Sequence, residues 1–237
     1  MIGFFSILAI GFFLGMRHAT DPDHVVAVTT IVSRQSKLSR AALTGLFWGI
    51  GHTLTILVVG AAIILFGIVI PARIGLSMEF SVALMLIFLG IINVVAFMRS
   101  GVPHSHPHTS EDTPSPAIDR IFAGFALYRH LRPLLIGIVH GLAGSAAVAL
   151  LVLATIRDAR WAIAYLLLFG IGTVAGMMLI TMSIASAFSY FGGLRANFGG
   201  RLAFASGLIS LGFGLLLVYQ IGFANGLLTG HPQWTPR

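Results

Sequence analysis

The sequence predicts an all-α integral membrane protein in which six transmembrane helices form two inverted three-helix repeats. Three observations predict it. The 237 residues are 57% hydrophobic and only 9% charged, with a mean hydropathy of +0.97, whereas a soluble domain carries roughly 25% charged residues. Six continuous apolar runs reach the length of about 20 residues that a helix needs to cross a bilayer. Short motifs of the first half return in the second at an offset close to 122 residues.

The runs lie at 2–33, 41–70, 77–98, 133–156, 161–191 and 202–226. The first, second and fifth exceed one crossing, so tilt, kinks or helical extensions beyond the lipid are expected. The opening IGFFSILAIGFFLG has signal-like apolarity, yet no basic stretch precedes it and no convincing small-residue cleavage site follows, so it is read as the first span. Apolar residues run on without alternation, which argues against a β-barrel. Many of the 28 glycines fall inside these runs, where they allow helices to approach closely.

The polar stretch 100–131 separates a first repeat, 1–99, from a second, 132–237. It begins GVPHSHPHTSEDTPSP, with His104, His106 and His108 alternating. Such a pattern captures transition metals weakly, and a plain solvated linker fits the composition almost as well. The following IDRIFAGFALYRHLR fits an amphipathic helix at the membrane interface.

The absence of cysteine excludes a disulfide scaffold, thiolate zinc sites, iron–sulfur ligation and cysteine nucleophiles. The net charge of +7 would suggest a nucleic-acid partner in a soluble protein. Here the basic residues flank apolar runs, so topology accounts for them and no nucleic acid is expected. Nine Lys and Arg fall in connections one, three and five against four on the opposite side. That bias puts both termini outside and the histidine-containing loop in the cytoplasm, in what is expected to be a bacterial plasma membrane.

The repeat rests on three ordered matches: GMRH at 15–18 with GIVH at 137–140, FWGIGHT at 47–53 with LFGIGTV at 168–174, and IFLG at 87–90 with ISLG at 209–212. Small-residue packing alone can recreate such likeness, but the order and near-constant offset favour duplication. Three spans per half is an odd number, so the second half enters the membrane from the other side. Secondary transporters are built in this way, with substrate held between the halves near the midplane.

The first span carries Arg17, His18, Asp21, Asp23 and His24 near its middle. Three unpaired charges there would cost on the order of 8–10 kcal/mol, adding the mild insertion figure for each. Arg17 and Asp21 are four apart and could pair on a regular helix. That leaves Asp23 with His18 and His24, a donor set that suits nickel, cobalt or zinc. On a straight helix His18 and His24 point about 120° apart. Pro22 removes a backbone donor and clashes with the carbonyl of residue 18, so a kink or break is expected there, and it can turn these side chains inward. A charge-paired kink that only lines water is the alternative. His52, in GIGHT with Thr53 and Thr55 nearby, is a candidate ligand on the second span. His140, aligned by the repeat with His18, is a candidate ligand or pathway residue. Asn93 and Gln220 are expected to make interhelical hydrogen bonds.

RHATDPDHV resembles the signature of the nickel/cobalt transporter family: a histidine, four residues, then Asp-His, here His18, Asp23 and His24. FWGIGHTLTI is similar to that family's second motif at Gly51 and His52, and AGMM at 175–178 to a later one. Two features depart from the standard pattern. The fourth run reads HGLAGSAAVALL with no acid, and Thr181 stands where an aspartate is usual; both are more like the shorter, urease-accessory-type branch, also linked to nickel. The resemblance implies movement of Ni²⁺ or Co²⁺, with the first motif as the key site.

The leading expectation is therefore a secondary transporter, not an enzyme, that needs no cofactor and carries Ni²⁺ or Co²⁺ as substrate. Its partners would be the lipid bilayer, a second copy of the chain, or proteins that mature nickel enzymes. Histidines must be neutral to ligate, so occupancy should fall as pH drops below about 6.5. With no Walker motif in the sequence, transport would be ion-coupled or facilitated unless another subunit hydrolyses ATP. An intramembrane metal-dependent hydrolase is the rival reading, although no HExxH motif occurs and Glu79 is the sole glutamate at a span. A subunit that delivers nickel to a partner, or an exporter of an anion or amino acid, completes the alternatives.

Overall fold

The computed structural model describes residues 2–33, 35, 37–67, 70–100, 128–142, 156, 158–194 and 198–234. Its helices are α1 (Ile2–His18), α2 (Pro22–Val32), α3 (Leu38–Phe66), α4 (Ala72–Ser100), α5 (Tyr128–Gly141), α6 (Ala159–Leu194) and α7 (Phe198–Tyr219), the last continued by a π-helical turn, Gln220–Ala224. The chain is a helical membrane protein: Leu38–Phe66, Ala72–Arg99, Ala159–Tyr190 and Gly199–Ala224 are long and apolar enough to cross a bilayer. Their outer faces carry large apolar side chains, Phe66 at 76% and Val58 at 62% exposure among them, as suits contact with lipid.

The second, third, fifth and sixth apolar runs thus appear as continuous helices. The first run, 2–33, is two short helices, because Pro22 supplies no N–H and cannot follow a helical residue 18. Asp21 takes an extended conformation (ψ 144°) and Pro22 becomes the first residue of α2, where its missing donor costs nothing. The break stays short. Thr20 N–H donates to the Arg17 carbonyl (2.8 Å) and Asp21 N–H to the His18 carbonyl (3.0 Å), as apolar surroundings demand.

The fourth run is described only as far as Leu142, and residues 143–155 lie outside the described residues. α5 begins at Tyr128 and runs through Pro133. Of the interfacial helix expected over 118–132, residues 118–127 lie outside the described residues, and 128–132 are helical and continuous with the rest of α5. The loop residues His104, His106 and His108 also lie outside the described residues.

α3 packs against both α5 and α6, α1 against α6, and α4 against α7. Glycine sets the closest approaches. A Cβ on Gly15 would strike the Phe169 carbonyl oxygen, and one on Gly137 would strike that of Trp48; Gly172 meets the Phe12 carbonyl as Gly51 meets that of Leu134. Each contact is its counterpart moved by 121 or 122 positions, so α1 meets α6 much as α5 meets α3. Hydroxyls tie the helices further, Thr55 Oγ1 donating to the Ile138 carbonyl and Thr53 Oγ1 to that of Gly170 (both 3.1 Å). Asn93 makes the expected interhelical bonds, from Nδ2 to the Thr30 carbonyl (2.7 Å) and to Ser33 Oγ (3.2 Å). No interhelical bond of the Gln220 side chain occurs among the described residues; its carbonyl closes the π-helical turn by accepting from Asn225 N–H.

Candidate metal centre

Four helix segments bring the site together. α1 ends on His18, α2 carries Asp23 and His24 in its first turn, α3 contributes His52 and α5 contributes His140. The bare Gly141 allows α5 to lie on the carbonyl of His52 and on Thr55, which holds His52 and His140 at one level. The break between α1 and α2 does the rest. His18 and His24, which a straight helix would point apart, have ring centroids 4.8 Å from each other.

All four imidazoles are buried, and His24, His52 and His140 are inaccessible to solvent. His18 Nε2 lies 2.9 Å from His52 Nε2. Asp23 stands between two rings, Oδ1 at 3.2 Å from His24 Nδ1 and Oδ2 at 3.0 Å from His140 Nε2. The candidate ligand atoms form two groups, His18–His24–His52 and Asp23–His24–His140, and within each they lie within 4.8 Å of one another. His24 belongs to both.

Every candidate expected within the membrane, His18, Asp23, His24, His52 and His140, therefore meets in one cluster. One pairing is corrected. Asp21 bonds not to Arg17 but to His18 Nδ1, at 2.8 Å. The helix ends between the two charged residues, so the four-residue spacing no longer brings them together, and Arg17 lies exposed on the outside. Thr181 turns its hydroxyl back to the Met177 carbonyl of its own helix, beside Gly45 of α3.

Trp48 was not anticipated. Its ring stacks on His24 (centroids 6.3 Å apart, 15° between planes) and meets His140 edge to face at 5.6 Å. The signal was its position one helical turn before His52, on the same face of α3.

Three buried imidazole nitrogens, His24 Nε2, His52 Nδ1 and His140 Nδ1, have no hydrogen-bond partner among the described residues. An unpaired buried polar group costs roughly 1–3 kcal/mol. Several of them converging on one interior cluster make a donor set that a cation would complete. Imidazole nitrogen with carboxylate oxygen nearby suits a borderline divalent ion.

No family model matches the chain, and no solved structure matches it. The urease accessory protein UreH of Bacillus sp. (strain TB-90) is 39% identical over 222 residues, covering 94% of each chain. Two Arabidopsis thaliana proteins, chloroplast protein FOR GROWTH AND FERTILITY 2 and its counterpart FOR GROWTH AND FERTILITY 1, are 25% and 26% identical over 92% of this chain. The chain spans 57% and 60% of their lengths.

Proposed function

We propose a transport function for this chain, which belongs to the family of the urease accessory protein UreH: it moves a divalent transition-metal ion, Ni²⁺ or Co²⁺, across the membrane as a secondary transporter. The observation that carries the reading is the buried cluster of four imidazoles and a carboxylate at a helix break, with ring nitrogens left unpaired. Irregular backbone inside a membrane bundle is tolerated where it lines a site, and broken helices hold the substrates of secondary transporters.

The architecture we assign is six spans in two inverted halves, with termini outside and the loop in the cytoplasm. The reciprocal glycine contacts, Gly15 on Phe169 against Gly137 on Trp48, support equivalence of the halves. α1 and α2 together make the first span, and α5 begins the fourth. In this reading the cation sheds most of its water, binds between the halves, and leaves on the other side after they rock. The relative's name also favours a link to a metal-requiring enzyme, fed by the transported ion.

A bacterium lacking its own nickel uptake tests the function. Expression of the chain should change cell-associated ⁶³Ni severalfold in either direction, and an unchanged content would sink the proposal. Two further outcomes are expected. Ni²⁺ added to the purified protein should quench Trp48 fluorescence, because that ring stacks on His24. Trp48→Phe should abolish most of the quenching while equilibrium dialysis still finds the bound ion. Pro22→Ala should weaken Co²⁺ binding at least tenfold without lowering the melting temperature, since restoring the N–H removes a penalty of about 3 kcal/mol against a continuous helix. Unchanged affinity would mean that packing alone maintains the break.

A further inference from the structure

We infer that Asp21 and Asp23 do not ligate the cation but hold the rings that do, so that His18, His24 and His52 bind it through nitrogen alone. The inference rests on the cluster being a cation site and assigns its atoms.

Asp23 uses both oxygens on imidazoles, Oδ1 on His24 Nδ1 and Oδ2 on His140 Nε2. A carboxylate only accepts, so each of those nitrogens carries the hydrogen. In a neutral ring the other nitrogen is then a lone pair. Those other nitrogens, His24 Nε2 and His140 Nδ1, are two of the buried atoms without a partner. Asp21 acts in the same way on His18, where Nδ1 donates to Oδ2 at 2.8 Å. The lone pair of His18 is therefore on Nε2, which faces His52 Nε2.

The two groups differ in what they offer a metal. In Asp23–His24–His140 the facing atoms already satisfy one another, and the imidazole atoms that face the carboxylate are protonated. In His18–His24–His52 the first two rings are fixed with lone pairs on Nε2. His18 and His52 face each other through Nε2, the two nitrogens 2.9 Å apart. Imidazole ligation suits Ni²⁺ among the borderline divalent ions. His52 donates from Nε2 to His18 and its Nδ1 is the third unpaired imidazole nitrogen; for His52 to ligate through Nε2, its proton would have to sit on Nδ1 instead. A carboxylate behind each of two ligating rings is the common means of fixing tautomer and orientation, and removing one typically weakens metal binding by tenfold to a hundredfold.

The test uses the full-length protein in nanodiscs, with ¹⁵N-labelled histidine and with Co²⁺ and Ni²⁺ as probes. Without metal, ¹⁵N spectra should show His18 and His24 protonated on Nδ1 and His140 on Nε2. Asp23→Asn should flip at least one of His24 and His140 and leave His18 alone, while Asp21→Asn should alter His18 only; a general loss of structure would disturb all of them. With metal, X-ray absorption should count three imidazoles in the wild type and in both variants. The visible Co²⁺ bands should be kept, with affinity down tenfold to a hundredfold. Co²⁺ bands that shift in Asp23→Asn but not in Asp21→Asn would make Asp23 a ligand and overturn the inference. Histidine tautomers as assigned but no metal bound by the wild type would overturn the cation reading itself.

Discussion

Replacing His24 with alanine is expected to abolish metal binding and flux, with affinity reduced by at least a hundredfold, while the protein still inserts and folds. His24 is the one ring common to both groups of candidate ligand atoms, so its loss leaves neither intact. It is also the ring on which Trp48 stacks and one of the two that Asp23 holds. The scaffold does not depend on it: α2 is set by Pro22 at its start, and its buried Ala27, Val28 and Val32 belong to the apolar core. Alanine is a good helix former in the first turn of that helix. Isothermal titration with Ni²⁺ and a thermal melt of the same sample check both halves of the prediction. Retained affinity in a folded variant would remove His24 from the site.

The second large effect concerns packing. Gly15→Ala and Gly137→Ala should each destabilise the protein by about 1–3 kcal/mol, the usual cost of overpacking a tight contact. The obstacle in each case is a backbone carbonyl, of Phe169 or of Trp48, which cannot rotate away as a side chain can. Because the contacts are counterparts, the two losses should be similar in size. Gly212→Ala is the control, since a Cβ there meets nothing within 4 Å; it should be neutral or slightly stabilising. Thermal unfolding in detergent reads all three. A large loss at one of the paired glycines with none at the other would contradict the equivalence of the two halves.

How much of this was legible in the sequence depends on the kind of interaction. Continuous apolar runs are enough to find α3, α4, α6 and α7, because burial in lipid demands length and apolarity and little else. The break at Pro22 was legible because proline's missing donor is a local, covalent fact. Convergence of His18 with His24 followed from it, since only a break undoes the rotation between them. The partner of Asp21 did not follow. Pairing with Arg17 was argued from helical spacing, and the same break that joins the histidines removes that spacing and turns Asp21 to His18. The Trp48–His24 stack depends on how α2 meets α3, and no local pattern encodes that. The match of Gly15 with Gly137 was visible as part of a repeated motif, but its meaning, backbone carbonyls in contact across two helix pairs, needed the packing.

The most direct test of the central claim is flux of ⁶³Ni into proteoliposomes containing the purified protein, beside a His24→Ala control and with unlabelled Co²⁺, Zn²⁺ and Mg²⁺ as competitors. Saturable flux is expected that disappears in the variant and is competed by Co²⁺ but not by Mg²⁺, a hard ion that prefers oxygen ligands. Wild-type liposomes that pass no nickel, although the folded protein binds it, would contradict transport and leave a metal-holding subunit that delivers its ion to a partner.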